Sequence, residues 1–214
     1  MDRLSEVDQD MQRFTEDDFG LTWLMTSFHL DWTIDAGSPI EAVRHALWEG
    51  MDPRQVASVR RDATLLLEQL PSDVIEQLWQ SGVQTANFFP RRVPSGSQWM
   101  KMLIEECDAW LQRRGITPPG RLDPIDQEAG IGQAELILRE LNEASGSIGV
   151  ELADQLTRCA HHCTPDLAFR ILLQALIVKG EPISRSQYER FAEIGEDLHY
   201  GEFLISSVEY LATR

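Results

Sequence analysis

Apolar residues recur at intervals of three and four along most of the chain, a pattern that predicts helices joined by tight turns. Leu21, Trp23, Leu24 and Met25 mark a short helix over residues 19–28, whose start Gly20 weakens. Ser38-Pro39-Ile40-Glu41 opens the next helix with three agreeing signals: a capping hydroxyl, proline at the first helical position, and a glutamate placed for a capping box. Its apolar face is Ile40, Val43 and Ala46 or Leu47, and Gly50 ends it. Asp52-Pro53 repeats the start signal before a stripe of Val56, Val59, Ala63, Leu66, Leu67 and Leu70. Arg54, Arg60, Arg61 and Asp62 fall mostly off that stripe, and Pro71 closes the helix. Ser72-Asp73 begins a fourth helix that stops at Gly82. Pro90 and Pro94 make residues 83–96 irregular, with Phe88 and Phe89 expected to be buried. Ser97 then opens a fifth helix, predicted to run to Arg114 and to be central because its apolar face is broad.

Gly115 and Ile116-Thr117-Pro118-Pro119-Gly120 form the clearest linker, so a domain boundary is placed between Gly115 and Gln127. Beyond it the helical rhythm resumes over residues 133–144 and 150–162, with Ser145-Gly146-Ser147 as a turn. Thr164-Pro165-Asp166 caps a helix that is apolar on almost every side and is read as the buried helix of the second half; Gly180 ends it. Ser184 to Gln187 is a capping-box match before Tyr188, Phe191, Ile194 and Leu198, and a last short helix follows Gly201. No stretch alternates with β-branched enrichment, so no strand is expected. The predicted architecture is all-α: two small helical bundles, residues 15–115 and 128–214, joined by a Pro/Gly-rich linker.

Charge changes the picture. The 214 residues carry a net charge of −16. Up to Gly115 there are 19 acidic and 11 basic residues, and beyond it 16 and 8, so each half carries −8. An acidity spread over the whole molecule disfavours direct nucleic-acid binding, which needs a basic surface, and suits field-steered encounter with a basic protein. No apolar run is long enough to predict a membrane span. Residues 1–10 lack the apolar core of a secretory signal. With an odd count of three cysteines, reduced thiols in a cytoplasm are expected rather than a disulfide framework.

Candidate chemistry is sparse. Cys159 and Cys163 share a helical face with His162 near both, which offers three zinc-type ligands, but no fourth stands nearby in sequence, so no metal is assigned. Nucleophile-elbow and phosphate-loop motifs are lacking, and no catalytic residue or cofactor is assigned. Asp17, Asp18, Glu105 and Glu106 read as solvated helix charges, available as contact carboxylates.

The most distinctive run is Phe28-His29-Leu30-Asp31-Trp32. Phe28 and Trp32 stand four apart, the spacing of one packed helical face, Asp31 suits a chain reversal, and His29 is expected to be half-buried. Phe-His-x-Asp-Trp, an acidic-polar loop and Ser-Pro-x-Glu opening an amphipathic helix together resemble the N-terminal pattern of immunity proteins from bacterial contact-dependent growth-inhibition systems. Leu30 stands where that family usually carries Gln. The resemblance covers about the first half of the chain. In the second half, Pro165-Asp166-Leu167-Ala168, Pro182-Ile183-Ser184, Gln187-Tyr188 and Gly201-Glu202-Phe203 resemble small helical immunity proteins of the Maf polymorphic-toxin systems. Both resemblances imply a non-enzymatic cytoplasmic protein that binds a cognate toxin domain and occludes its active site; the acidity implies a basic, nuclease-like toxin. Phe28, His29, Asp31 and Trp32 are then expected to be structural. A helical scaffold or adaptor, and a small helical enzyme, are the alternatives.

Overall fold

The computed structural model describes residues 17–118 and 128–213. Most of the linker lies outside the described residues. The first half contains α1 (Gly20–Thr26), α2 (Trp32–Asp35), α3 (Pro39–Ala46), α4 (Pro53–Gln69), α5 (Ser72–Gly82) and α6 (Gly96–Arg113). The second contains α7 (Ala134–Glu143), α8 (Ser145–Ile148), α9 (Val150–His162), α10 (Pro165–Lys179), α11 (Arg185–Asp197) and α12 (Glu202–Ser206), with short 3-10 turns at Ile131–Gln133 and Glu209–Leu211. The protein is all-α. Two two-residue strands, Ile183–Ser184 and Ala212–Thr213, pair in parallel and tie the C-terminal end to the start of α11. They are too short to leave the alternation by which a strand is read from sequence.

Several helix starts follow their sequence signals. The Ser38, Asp52, Thr164 and Ser184 side chains accept the N–H groups of Glu41, Arg54, Leu167 and Gln187. Glu41 closes its box one residue further out than expected: its Oε2 accepts from Gly37 N at 2.8 Å. Ser95, not Ser97, caps α6, accepting from Gln98 N. Ser97 already lies inside the helix, and its N–H donates to Ser72 Oγ at 3.0 Å, so that serine laces α5 to α6. Residues 145–148, expected as a turn, form the single helical turn α8.

Helices α4 and α6 pair along their lengths as the spine of the first half, with α1 and α3 packed on them. An aromatic cluster fills one end: the Phe28 ring meets Trp32, Trp79 and Phe88 edge-on at 5.4 Å and Trp99 at 5.8 Å. Phe88 is buried, as its irregular segment led one to expect, while Phe89 is only half-buried.

The two helical groups share one continuous core. Helix α10 packs on α9 and α7 of its own half and on α5 and α1 of the other. This explains why α10 is apolar all round: a helix covered on every side has no face left to be polar. Gln174 Nε2 donates to Gly82 O at 3.0 Å across the seam, and the Phe19 and Tyr200 rings meet edge-on at 5.9 Å.

Candidate functional site

The Phe28–Trp32 run divides between inside and outside. Phe28 is fully buried and Trp32 nearly so. Trp32 Nε1 donates to Thr85 Oγ1 at 2.7 Å, and that hydroxyl donates to Phe28 O at 3.1 Å. Phe28 and Trp32 do not share a helix, contrary to what their spacing led one to expect: Phe28 lies in the non-helical link before α2, and it is the hydroxyl of Thr85 that ties both residues to the irregular stretch after α5. The other three residues face out. His29 is exposed rather than half-buried; its Nδ1 accepts from Asp31 N at 3.2 Å. Asp31 precedes α2 but its carboxylate makes no capping bond, contrary to the backbone role expected of it. Leu30 and Ile34 are 76% and 78% exposed, the two most exposed large apolar side chains among the described residues. Asp31 and Asp35 alternate with them, both exposed. Behind this ridge, a cleft of about 220 Å³ opens between α2 and α3, bordered by His29, Asp35 and His45.

The four carboxylates singled out from sequence fall in different settings. Asp17 and Glu105 are exposed. Glu106 is not a free surface charge, because Arg44 of α3 grips both of its oxygens, with Nε at 3.0 Å. Asp18 is drawn inward: its Oδ1 accepts from Phe19 N at 2.8 Å and Thr22 Oγ1 at 2.7 Å. Both were expected to be solvated; each instead holds the chain to itself. Cys159 and Cys163 are buried while His161 and His162 are exposed, so the thiols and imidazoles are not gathered at one point. Cys163 Sγ instead contacts Leu65 O across the seam, at 3.6 Å.

The strongest electrostatic feature is one that sequence reading missed. Arg170, on the apolar helix α10, is 1% exposed. Its guanidinium donates to Asp62 Oδ2 at 2.9 Å, Asp166 Oδ2 at 3.1 Å, Phe19 O at 3.0 Å and Thr22 Oγ1 at 3.2 Å. Arg61 donates to the other oxygen of Asp62, and Tyr200 donates to the other oxygen of Asp166. Burial alone pulls the Arg170 pKa down, but Asp62 and Asp166 outweigh it and hold the guanidinium charged. Gly20 belongs to the same knot. Its φ is +64°, and a Cβ there would collide with Asp62 Oδ2, the atom that also accepts the N–H of Leu21. This glycine is required by a close approach, not merely a weak helix start.

Asp18 lies at the edge of the knot. Burial pushes its pKa up to about 6, with Asp62 adding to the rise and Arg170, Thr22 and the Phe19 N–H opposing it. A carboxyl whose folded-state pKa lies above its unfolded value binds more protons in the native state, so stability falls as pH rises from about 4 to 6 and is flat above. Asp18→Asn keeps the acceptor oxygen and removes the charge. It is expected to raise the melting temperature at pH 8 by several degrees, from roughly 1–3 kcal/mol of relieved cost, and by much less at pH 4. Equal shifts at both pH values would contradict this.

A larger groove of about 580 Å³ crosses the seam between α5 and α9, bordered by Asp73, Glu76, Glu151 and Lys179. Its charges are already engaged in part: Glu76 accepts from Gly96 N, Glu151 from Gln77, and Lys179 donates to Ile148 O. Among the described residues no three His, Cys, Asp or Glu side chains are placed to hold a metal ion. No helix among them is long and apolar enough to cross a membrane. Comparisons with protein-family models, with curated proteins and with solved structures found no match.

Proposed function

We propose that this chain is an immunity protein that binds a cognate toxin domain, basic and nuclease-like, and blocks its active site by occlusion. The observation that carries the reading is the Phe-His-x-Asp-Trp resemblance, together with its division into a buried aromatic pair and an exposed Leu30-Asp31 edge. Two further features support it. The charge of −16 is shared evenly by the two halves, which suits long-range attraction to a cationic partner. The most prominent exposed apolar side chains sit among carboxylates, the pairing that a basic interface with an apolar centre requires. Occlusion of this kind needs no chemistry from the inhibitor, only a rigid and complementary surface.

The direct experiment is co-expression with a basic toxin domain from a neighbouring gene of the native genome, followed by purification and a growth test. Recovery of a stoichiometric complex and protection of cells expressing the toxin are expected; toxicity undiminished by co-expression would refute the reading. The kinetics carry a second expectation. Surface fields reach only about 8–10 Å in physiological salt, so salt acts on encounter more than on the desolvated complex. Stopped-flow association is expected to slow by roughly tenfold or more between low and high salt, with a smaller change in dissociation. An association rate that stays flat would reduce the acidity to a solubility feature.

A further inference from the structure

Resting on the immunity reading, we infer that the ridge formed by Leu30, Asp31, Ile34 and Asp35 is the surface that enters the toxin, and that its occupant is a cationic protein cleft with an apolar floor. Leu30 lies in the turn that leads into α2 and Ile34 within α2, the two joined by consecutive tight bonds, Trp32 N donating to His29 O at 3.3 Å and Ile34 N to Asp31 O at 2.9 Å. Their exposures of 76% and 78% place both outside the body of the protein, within one five-residue segment. Asp31 and Asp35 have the same spacing and stand one position on, so each apolar side chain is flanked by a carboxylate.

The charge selects the partner. Residues 29–35 contain two carboxylates and no lysine or arginine; of the cations near them, Arg92 lies over the Trp32 ring at 5.7 Å and Arg44 is held by Glu106, so among the described residues the carboxylates of the segment outnumber the one unpaired guanidinium beside it, on a chain of net charge −16. Phosphate backbones and anionic lipid surfaces are repelled by such a segment, whereas a ring of lysine and arginine around a nuclease-type cleft is attracted. The ridge is also pre-organised. Trp32, directly behind it, is fixed by Thr85 and by the Phe28 ring, so little ordering remains to be done on binding. Leu30 and Ile34 then act as the desolvated anchors, and Asp31 and Asp35 steer and fix the register.

The probe is a catalytically inactive form of the toxin domain used in the co-expression, with binding measured by calorimetry and stopped flow. Leu30→Ala with Ile34→Ala is expected to weaken binding on the order of 10- to 100-fold, mainly through faster dissociation. Asp31→Asn with Asp35→Asn is expected to slow association severalfold at low salt and to flatten its salt dependence. Both pairs are exposed, so each variant keeps the parent melting temperature. Val150→Ala with Tyr210→Ala, which trims two other exposed apolar side chains, is expected to bind as the parent does. If the ridge variants match the parent while the parent binds tightly, the ridge is not the interface and the immunity reading survives. If the parent itself does not bind, the ridge assignment falls together with that reading.

Discussion

Arg170→Ala is expected to cost roughly 3–5 kcal/mol of folding stability, the range for removing one partner of a buried ion pair. The reason is the company that the guanidinium keeps. Asp62 is wholly buried and Asp166 nearly so, and both accept from Arg170. Without Arg170, both carboxylates lose one of their guanidinium partners and are left facing Arg61, while the Phe19 carbonyl and the Thr22 hydroxyl lose a donor. A domain of ordinary stability has about 5–15 kcal/mol in total, so the variant stands near the unfolding threshold. Urea titrations of both proteins at pH 7 measure the loss. An Arg170→Ala protein within about 1 kcal/mol of the parent at pH 7 would mean that water reaches the carboxylates and the knot is not sealed. Arg61→Met and Arg170→Met with Asp62→Asn and Asp166→Asn tests the complement: with both buried cations and both carboxylates neutralised together, most of the loss is expected to be recovered.

That knot shows why part of this molecule is legible in sequence and part is not. Helix positions follow local rules, and Ser38, Asp52, Thr164 and Ser184 cap where their short-range patterns place them. The all-α architecture follows from the same periodicity. Tertiary ion pairing obeys no such rule. Asp62 stands off the apolar stripe of α4 and reads as a solvent charge, yet Leu21 N and Arg170 both reach it from other helices. Asp166 reads as a first-turn residue of α10, which it is, but its carboxylate serves Arg170 and Tyr200. One signal was present. A single arginine between Phe169 and Ile171, in a helix apolar on every side, must either reach water or find a carboxylate. Likewise, an all-round apolar helix asks for covering elements on both sides, and those come from both halves of the chain. At the candidate site, the burial of Phe28 and Trp32 agrees with the reading of the sequence but its reason does not, because the chain between them is not helical and the two rings meet across a turn. The outward ridge was not legible, because Leu30 and Ile34 are apolar residues that sequence alone assigns to the inside.

Trp32→Ala is expected to destabilise the fold by roughly 3–5 kcal/mol, as for other large buried aromatic truncations. The ring is 3% exposed and packs edge-on against Phe28, which in turn touches Trp79, Phe88 and Trp99. Its removal opens a cavity at the margin of that cluster and takes away the donor to Thr85. Trp32→Phe separates the two contributions: it keeps most of the ring contact and loses only the indole N–H, so a cost nearer 1 kcal/mol is expected. Binding adds a test that stability alone does not give. If the proposed toxin binds at Leu30 and Ile34, which flank Trp32 in the chain, whatever fraction of Trp32→Ala remains folded should bind it less tightly, with a larger ordering cost on association. Trp32→Phe should bind close to parent affinity. Thermal melts and calorimetry on both variants distinguish these cases. A Trp32→Ala protein that melts like the parent yet loses its partner would make Trp32 a contact residue instead of a support. The division of the Phe28–Trp32 run into an inner anchor and an outer edge would then have to be abandoned.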